Sequence, residues 1–185
     1  GDKALMIETI WGMEQLESAQ QKILSVGLRR ETITFYRDRI RAVFRPREGL
    51  YDYPQAINLI NRAKELYPDS VALSTIEDQV KEQKDRLMRS LISLYKRYVT
   101  QKKLVRTPNG EDLTTVIPLI RRVDPNHSLL RDKKLADLYL AETEKNISKG
   151  KYKNASNYIA TGIKLFPEDV RLQSLNKLIN AQTQN

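Results

Sequence analysis

Arg37, Arg41 and Arg45 recur every four residues in "YRDRIRAVFR", a spacing that aligns three guanidinium groups along one helix face. Each guanidinium carries a planar fork of donors that matches a carboxylate or a phosphate, so the chemistry on offer is anion recognition. Other reactive side chains are scarce. The chain has one histidine, His127 in "DPNHS", and no cysteine, which removes disulfides and thiolate metal sites and makes a zinc or nucleophilic centre improbable. His127 is expected to serve the turn it sits in. No phosphate-binding glycine loop, His-Glu-x-x-His pair or Gly-x-Ser-x-Gly elbow occurs. Carboxylates are numerous, but the pattern forces none into an apolar setting. Neither catalysis, a cofactor nor a metal is expected. Asn126, Asn146 and Asn154 open formal glycosylation sequons, which read as chance. Trp11, the single tryptophan, is expected to pack the first helix.

The cations are unevenly placed. Net charge is +9 over 185 residues, with seven arginines from Arg29 to Arg47 against Glu31 and Asp38. Nine basic residues from Lys81 to Arg106 face only Glu82 and Asp85. Such a balance invites nucleic acid or an anionic surface as partner, yet no nucleic-acid-binding motif or aromatic stacking platform accompanies it. Nucleic acid is therefore the unfavoured partner, and an acidic protein or peptide the favoured one. The chain starts Gly-Asp-Lys without methionine and is expected to be an excised piece of a longer polypeptide. No apolar run approaches the roughly 20 residues that span a bilayer.

The elements that must carry these groups are helices. Apolar residues recur at three and four almost throughout, and nothing shows a sustained period of two, so strands are not expected. Leu5 to Leu24 reads as a first helix ending near Gly27, and Ile33 to Phe44 as a second, stopped by Pro46. Pro54 to Leu66 follows, then a long helix capped by Asp69 or Ser70 and running to about Lys103. "RTPNGED" is turn chemistry. Beyond it come helices at about 111–123 (bent at Pro118), 129–148, 152–166 and 168–181, with Gly150 ending the third from last. The expected fold is all-α, about eight helices in antiparallel hairpins within one domain of residues 1–185. Its parts are an N-terminal pair (1–49), a first repeat with the long helix (50–106), a degenerate middle repeat (107–149) and a last repeat (150–185).

Two stretches repeat each other without a gap. Tyr53, Ala56, Asn58, Ile60, Leu66, Pro68, Val71 and Leu73 match Tyr152, Ala155, Asn157, Ile159, Leu165, Pro167, Val170 and Leu172, while Ala63 is matched by Gly162. Small residues seven apart lie on one helix face and let a neighbouring helix approach closely. A weaker third copy is "LTTVIPLIRRVDPNHSLL". At these residues the chain resembles the tetratricopeptide repeat, best in "GKYKNASNYIATGIKLFPED"; the first-helix signature of that family is absent around Leu138 to Ile147. "KKLVRTPNGEDLTTVIPLIRRVDPNHSLL" followed by "YLAETEKNISKGKYKNA" looks like repeat regions at the C-terminal end of membrane-anchored bacterial proteins, including serine/threonine-kinase-like ones.

The first resemblance implies a scaffold that presents surfaces to proteins or peptides. It also implies a concave groove near which Tyr95, Tyr98 and Lys102 fall, with Arg41 and Arg45 of the earlier unit; such a groove suits an acidic peptide or a chain terminus. The second resemblance implies the periplasmic side of a bacterial inner membrane. The expected function is a non-enzymatic interaction scaffold within a larger bacterial membrane-associated protein. Its rivals are a regulatory or sensor segment of a kinase-like enzyme and a basic nucleic-acid-binding module.

Overall fold

The computed structural model describes residues 29–183. The expected first helix and Trp11 lie outside them. Seven α-helices occupy most of the described chain, so the protein is all-α. They are α1 (Arg29–Val43), α2 (Tyr53–Leu66), α3 (Val71–Thr100), α4 (Leu113–Val123), α5 (Lys133–Ser148), α6 (Tyr152–Leu165) and α7 (Val170–Thr183). No helix among the described residues is long and apolar enough to cross a membrane.

Each boundary has a local cause. Asp52 accepts from the Gln55 N–H at 3.0 Å and opens α2, with Pro54 in the first turn, where its missing N–H costs nothing. Ser70, rather than Asp69, caps α3 by accepting from the Leu73 N–H at 3.4 Å. Asp112, Asp132 and Asp169 do the same for α4, α5 and α7, taking the N–H groups of Thr114, Lys134 and Arg171. The carboxylate caps shift three starts by two to four residues from the sequence expectation. Leu129 to Arg131, expected at the head of α5, instead form part of a 3₁₀ turn, Ser128–Arg131. The α4 helix continues through Pro118.

One feature departs from the all-helical reading. After α1 the chain forms a two-stranded antiparallel hairpin, β1 (Phe44–Arg45) with β2 (Leu50–Tyr51), joined by a 3₁₀ turn over Pro46–Glu48. Gly49 closes the turn at φ 80°, where a Cβ is disfavoured. Strands of two residues are too short to leave an alternation in the sequence.

The chain divides into two compact units between Leu87 and Met88, inside α3 rather than at a loop. In the first, α1 and α2 pack together, and Tyr36, Ile40, Phe44, Ala56, Ile60, Ala63, Leu73 and Val80 form the core. In the second, α5 packs on α6 across the short connection 149–151, which makes the pair antiparallel, and α7 packs on α6. Its core includes Tyr139, Ala155, Ile159, Gly162, Leu172 and Ile179. The two units thus bury the same repeated positions: Ala56 and Ala155, Ile60 and Ile159, Ala63 and Gly162, Leu73 and Leu172. The close contact is measurable at Gly162. A Cβ there would lie 3.1 Å from the Tyr139 Cβ and 3.2 Å from the Leu172 Cδ2. The helix preceding each repeated one also buries a tyrosine, Tyr36 in α1 and Tyr139 in α5, and burial raises both phenols, Tyr36 to about 12. The Tyr139 hydroxyl donates to the Leu104 carbonyl at 2.5 Å.

Candidate functional site

Arg37 and Arg41 stand one turn apart on α1, whereas Arg45, expected on the same helix face, follows in β1 because the helix ends at Val43. Arg37, Arg41 and Arg45 each follow a buried residue (Tyr36, Ile40 and Phe44), so the row borders the core directly, with Arg37 and Arg41 roughly 100° round the helix from the buried side. There it lines a hollow of about 100 Å³ whose other wall is α3, through Ile76, Gln79, Val80 and Gln83. A larger hollow of about 480 Å³ continues from it, sharing Arg45, Gln79 and Gln83 and adding Arg47, Arg86 and Leu87. Together they form a cleft within the first unit, with apolar groups at its base and five arginines against the single acid Glu82 along its walls.

Several of these cations already hold a carboxylate. Arg45 Nη1 donates to Glu48 at 2.6 Å, Arg37 Nε to Asp38 at 3.2 Å, and Arg86 pairs with Glu82 one turn away. These pairs are solvent-exposed and each contributes no more than about 1 kcal/mol, so an incoming anion can compete for the same donors. Arg41 and Arg47 make no ion pair among the described residues. Gln79 and Gln83, one turn apart on α3, add amide donors and acceptors to the facing wall. The arrangement can take carboxylates or phosphates at its rim and an apolar side chain at its base. The one carboxylate in it, Glu82, is paired with Arg86.

The second group of expected contact residues is placed differently. Tyr95 and Tyr98 are 4% exposed and belong to the core of the second unit, so they do not line a groove. The family resemblance placed them near a groove, and Leu91 on the same helix shows that their face is the buried one. The Tyr95 hydroxyl donates to Asp132 at 2.8 Å, and burial with that carboxylate raises its phenol. Arg97 lies over the Tyr98 ring at 5.1 Å. Lys102 stands at φ 53° just past α3, and its ammonium donates to Glu142 at 2.7 Å. Glu142 is 7% exposed and its carboxyl is held below the ordinary range, first by the Lys102 hydrogen bond. Lys102 is therefore committed to folding the second unit.

His127 also has a structural task. Its Nδ1 accepts from the Leu129 N–H at 3.2 Å and opens the 3₁₀ turn before α5. No group of three or more His, Asp or Glu side chains that could hold a metal is found among the described residues.

Sequence reasoning missed the far wall of the cleft. The signal was present in Gln79, Gln83 and Arg86, which follow one another by four and three along a helix whose Ile76 and Val80 face inward. Comparison with protein-family models, with curated proteins and with solved structures yields no match.

Proposed function

We propose that this chain is a non-enzymatic scaffold of tetratricopeptide-like helix pairs, within a larger bacterial membrane-associated protein, and that it docks an acidic protein or peptide. The observation that carries the reading is the cleft of the first unit, where Arg37, Arg41, Arg45 and Arg47 stand beside an apolar base. A row of arginines along one wall matches carboxylates spaced along a peptide, and the base beneath them accepts an apolar side chain between those carboxylates. An isolated phosphate polymer would use the rim and leave the base empty.

Fluorescence anisotropy with labelled peptides that interleave glutamate and leucine tests this, with glutamine-for-glutamate controls and mixed-sequence DNA as competitor. The acidic peptides are expected to bind, the neutral controls not to, and the Arg41→Glu, Arg45→Glu double variant to weaken binding without lowering thermal stability. Excess DNA is expected to leave the complex in place. Displacement by DNA, or DNA binding at nanomolar strength in 0.15 M salt, would transfer the reading to a nucleic-acid module.

A further inference from the structure

The second unit carries a polar hollow of about 510 Å³ that the scaffold reading does not use. Its walls come from the loop after α3, the first turns of α4 and the last turn of α6. Two cations stand at it, Arg106 and Lys164, and neither makes an ion pair among the described residues. No acid lines the hollow, and Asp112, at the start of α4, is buried and occupied elsewhere. Its two oxygens accept from the Thr107 N–H at 2.6 Å, the Thr107 hydroxyl at 3.0 Å, the Thr114 N–H at 2.9 Å and the Thr114 hydroxyl at 2.6 Å.

Those bonds also fix what the walls can offer. The Thr107 hydroxyl proton is shared between Asn109 Oδ1 at 2.8 Å and Asp112, that of Thr114 points to Asp112, and that of Thr161 to the Asn157 carbonyl at 2.8 Å. A hydroxyl with its one proton committed presents only lone pairs to a visitor. Pro118, which also lines the hollow, brings no N–H, so the Thr114 carbonyl lacks the helical donor four residues on. The hollow therefore combines cations with several oxygen acceptors, while Thr115 keeps its own hydroxyl proton uncommitted. A plain anion would meet the cations and be repelled by the acceptors. A neutral polyol would satisfy the acceptors and leave the cations unused. The complementary ligand carries both an anionic group and several hydroxyl donors, on a compact body whose C–H face can rest on Pro118.

We propose that this hollow between the 101–112 loop, α4 and the end of α6 binds an anionic sugar unit, through Arg106 and Lys164 to its acid group and through the threonine oxygens and the Thr114 carbonyl to its hydroxyls. The acid group is a carboxylate or a phosphate, which the cations receive alike.

The test is a chemical-shift titration of the ¹⁵N-labelled full chain with glucuronate, glucose 6-phosphate, glucose and inorganic phosphate. Saturable shifts centred on Thr114, Thr115, Thr161 and Lys164 are expected with at least one of the two acidic sugars, and their relative strength separates carboxylate from phosphate. Glucose and inorganic phosphate are each expected to bind at least tenfold more weakly. Arg106→Ala and Lys164→Ala, both changes to exposed side chains, are each expected to weaken the acidic sugar at least threefold, and Arg41→Ala to leave it unchanged. The proposal fails if neither acidic sugar saturates, if glucose or phosphate alone binds as tightly, or if the two alanine variants bind like the parent.

Discussion

Replacing Gly162 by alanine sets two known effects against each other. In a helix interior alanine is favoured over glycine by about 1 kcal/mol, so on propensity alone the change should stabilise α6. The structure opposes it. The new methyl would sit 3.1 Å from the Tyr139 Cβ and 3.2 Å from the Tyr139 Cγ, against the roughly 3.5–4.0 Å at which carbon atoms rest. Leu172 Cδ2, also at 3.2 Å, is the free end of a side chain and can rotate away. Tyr139 has less freedom: its Cβ rides on the α5 backbone, and its hydroxyl is tied to the Leu104 carbonyl. Relief requires α5 and α6 to separate, and overpacking of this kind costs about 1–3 kcal/mol. The clash wins, and Gly162→Ala is expected to destabilise the second unit by about 1 kcal/mol, the difference of the two terms. Thermal melts read by circular dichroism, with amide exchange over α5 and α6 to locate the loss, measure it. Ala63→Gly at the matching position of α2 is expected to destabilise as well, by about 2 kcal/mol, since it loses both propensity and a buried methyl. If Gly162→Ala instead raises the melting temperature, the close approach is not what keeps glycine there, and the physical reason for the repeated small residues is lost.

Glu142→Gln tests the half-buried Lys102–Glu142 ion pair by its pH signature. The Glu142 carboxyl is lowered from 4.5 by its Lys102 hydrogen bond, so its contribution is present above about pH 4.5 and lost as pH falls through the folded value. The melting-temperature difference between parent and Glu142→Gln should therefore be larger at pH 7 than at pH 3, and an offset independent of pH would refute the pairing. At Lys102, glycine and alanine both remove the ammonium, but only glycine also removes the left-handed strain at φ 53°. Lys102→Ala is expected to melt below Lys102→Gly, and the reverse order would show that the backbone there is not constrained as described.

Helix content was legible because it rests on a signal that many residues share. The apolar period of three to four survives single exceptions, and the small residues at 56, 63, 155 and 162 mark buried positions on the helices. What escaped were features written in two or three residues. The β1–β2 hairpin has two residues per strand, so no alternation can accumulate. The starts of α4, α5 and α7 are set by single carboxylates at 112, 132 and 169, and several acids nearby were equally plausible caps from sequence. The buried tyrosines preceding the repeated helices were hidden by unequal spacing. Tyr36 lies 20 residues before Ala56 but Tyr139 only 16 before Ala155, with the hairpin inserted in the first case.

The candidate contact residues divide along a line set by side-chain chemistry. A guanidinium is strongly disfavoured in an apolar core without a partner, so these arginines had to reach the surface; Arg37 and Arg41 share a face by helix spacing, and Arg45 joins them from β1. Tyrosine carries no such constraint. It can bury its ring and still satisfy its hydroxyl with one acceptor, as Tyr95 does with Asp132, so the same periodicity fits a groove and a core equally. Lysine lies between the two. Lys102 keeps its stem exposed while its ammonium is drawn to Glu142, an acid 40 residues away that no local pattern connects to it. The cleft of the first unit was thus half visible: the arginine wall is local in sequence, whereas the facing wall of Gln79, Gln83 and Arg86 becomes a wall only when α3 folds beside α1.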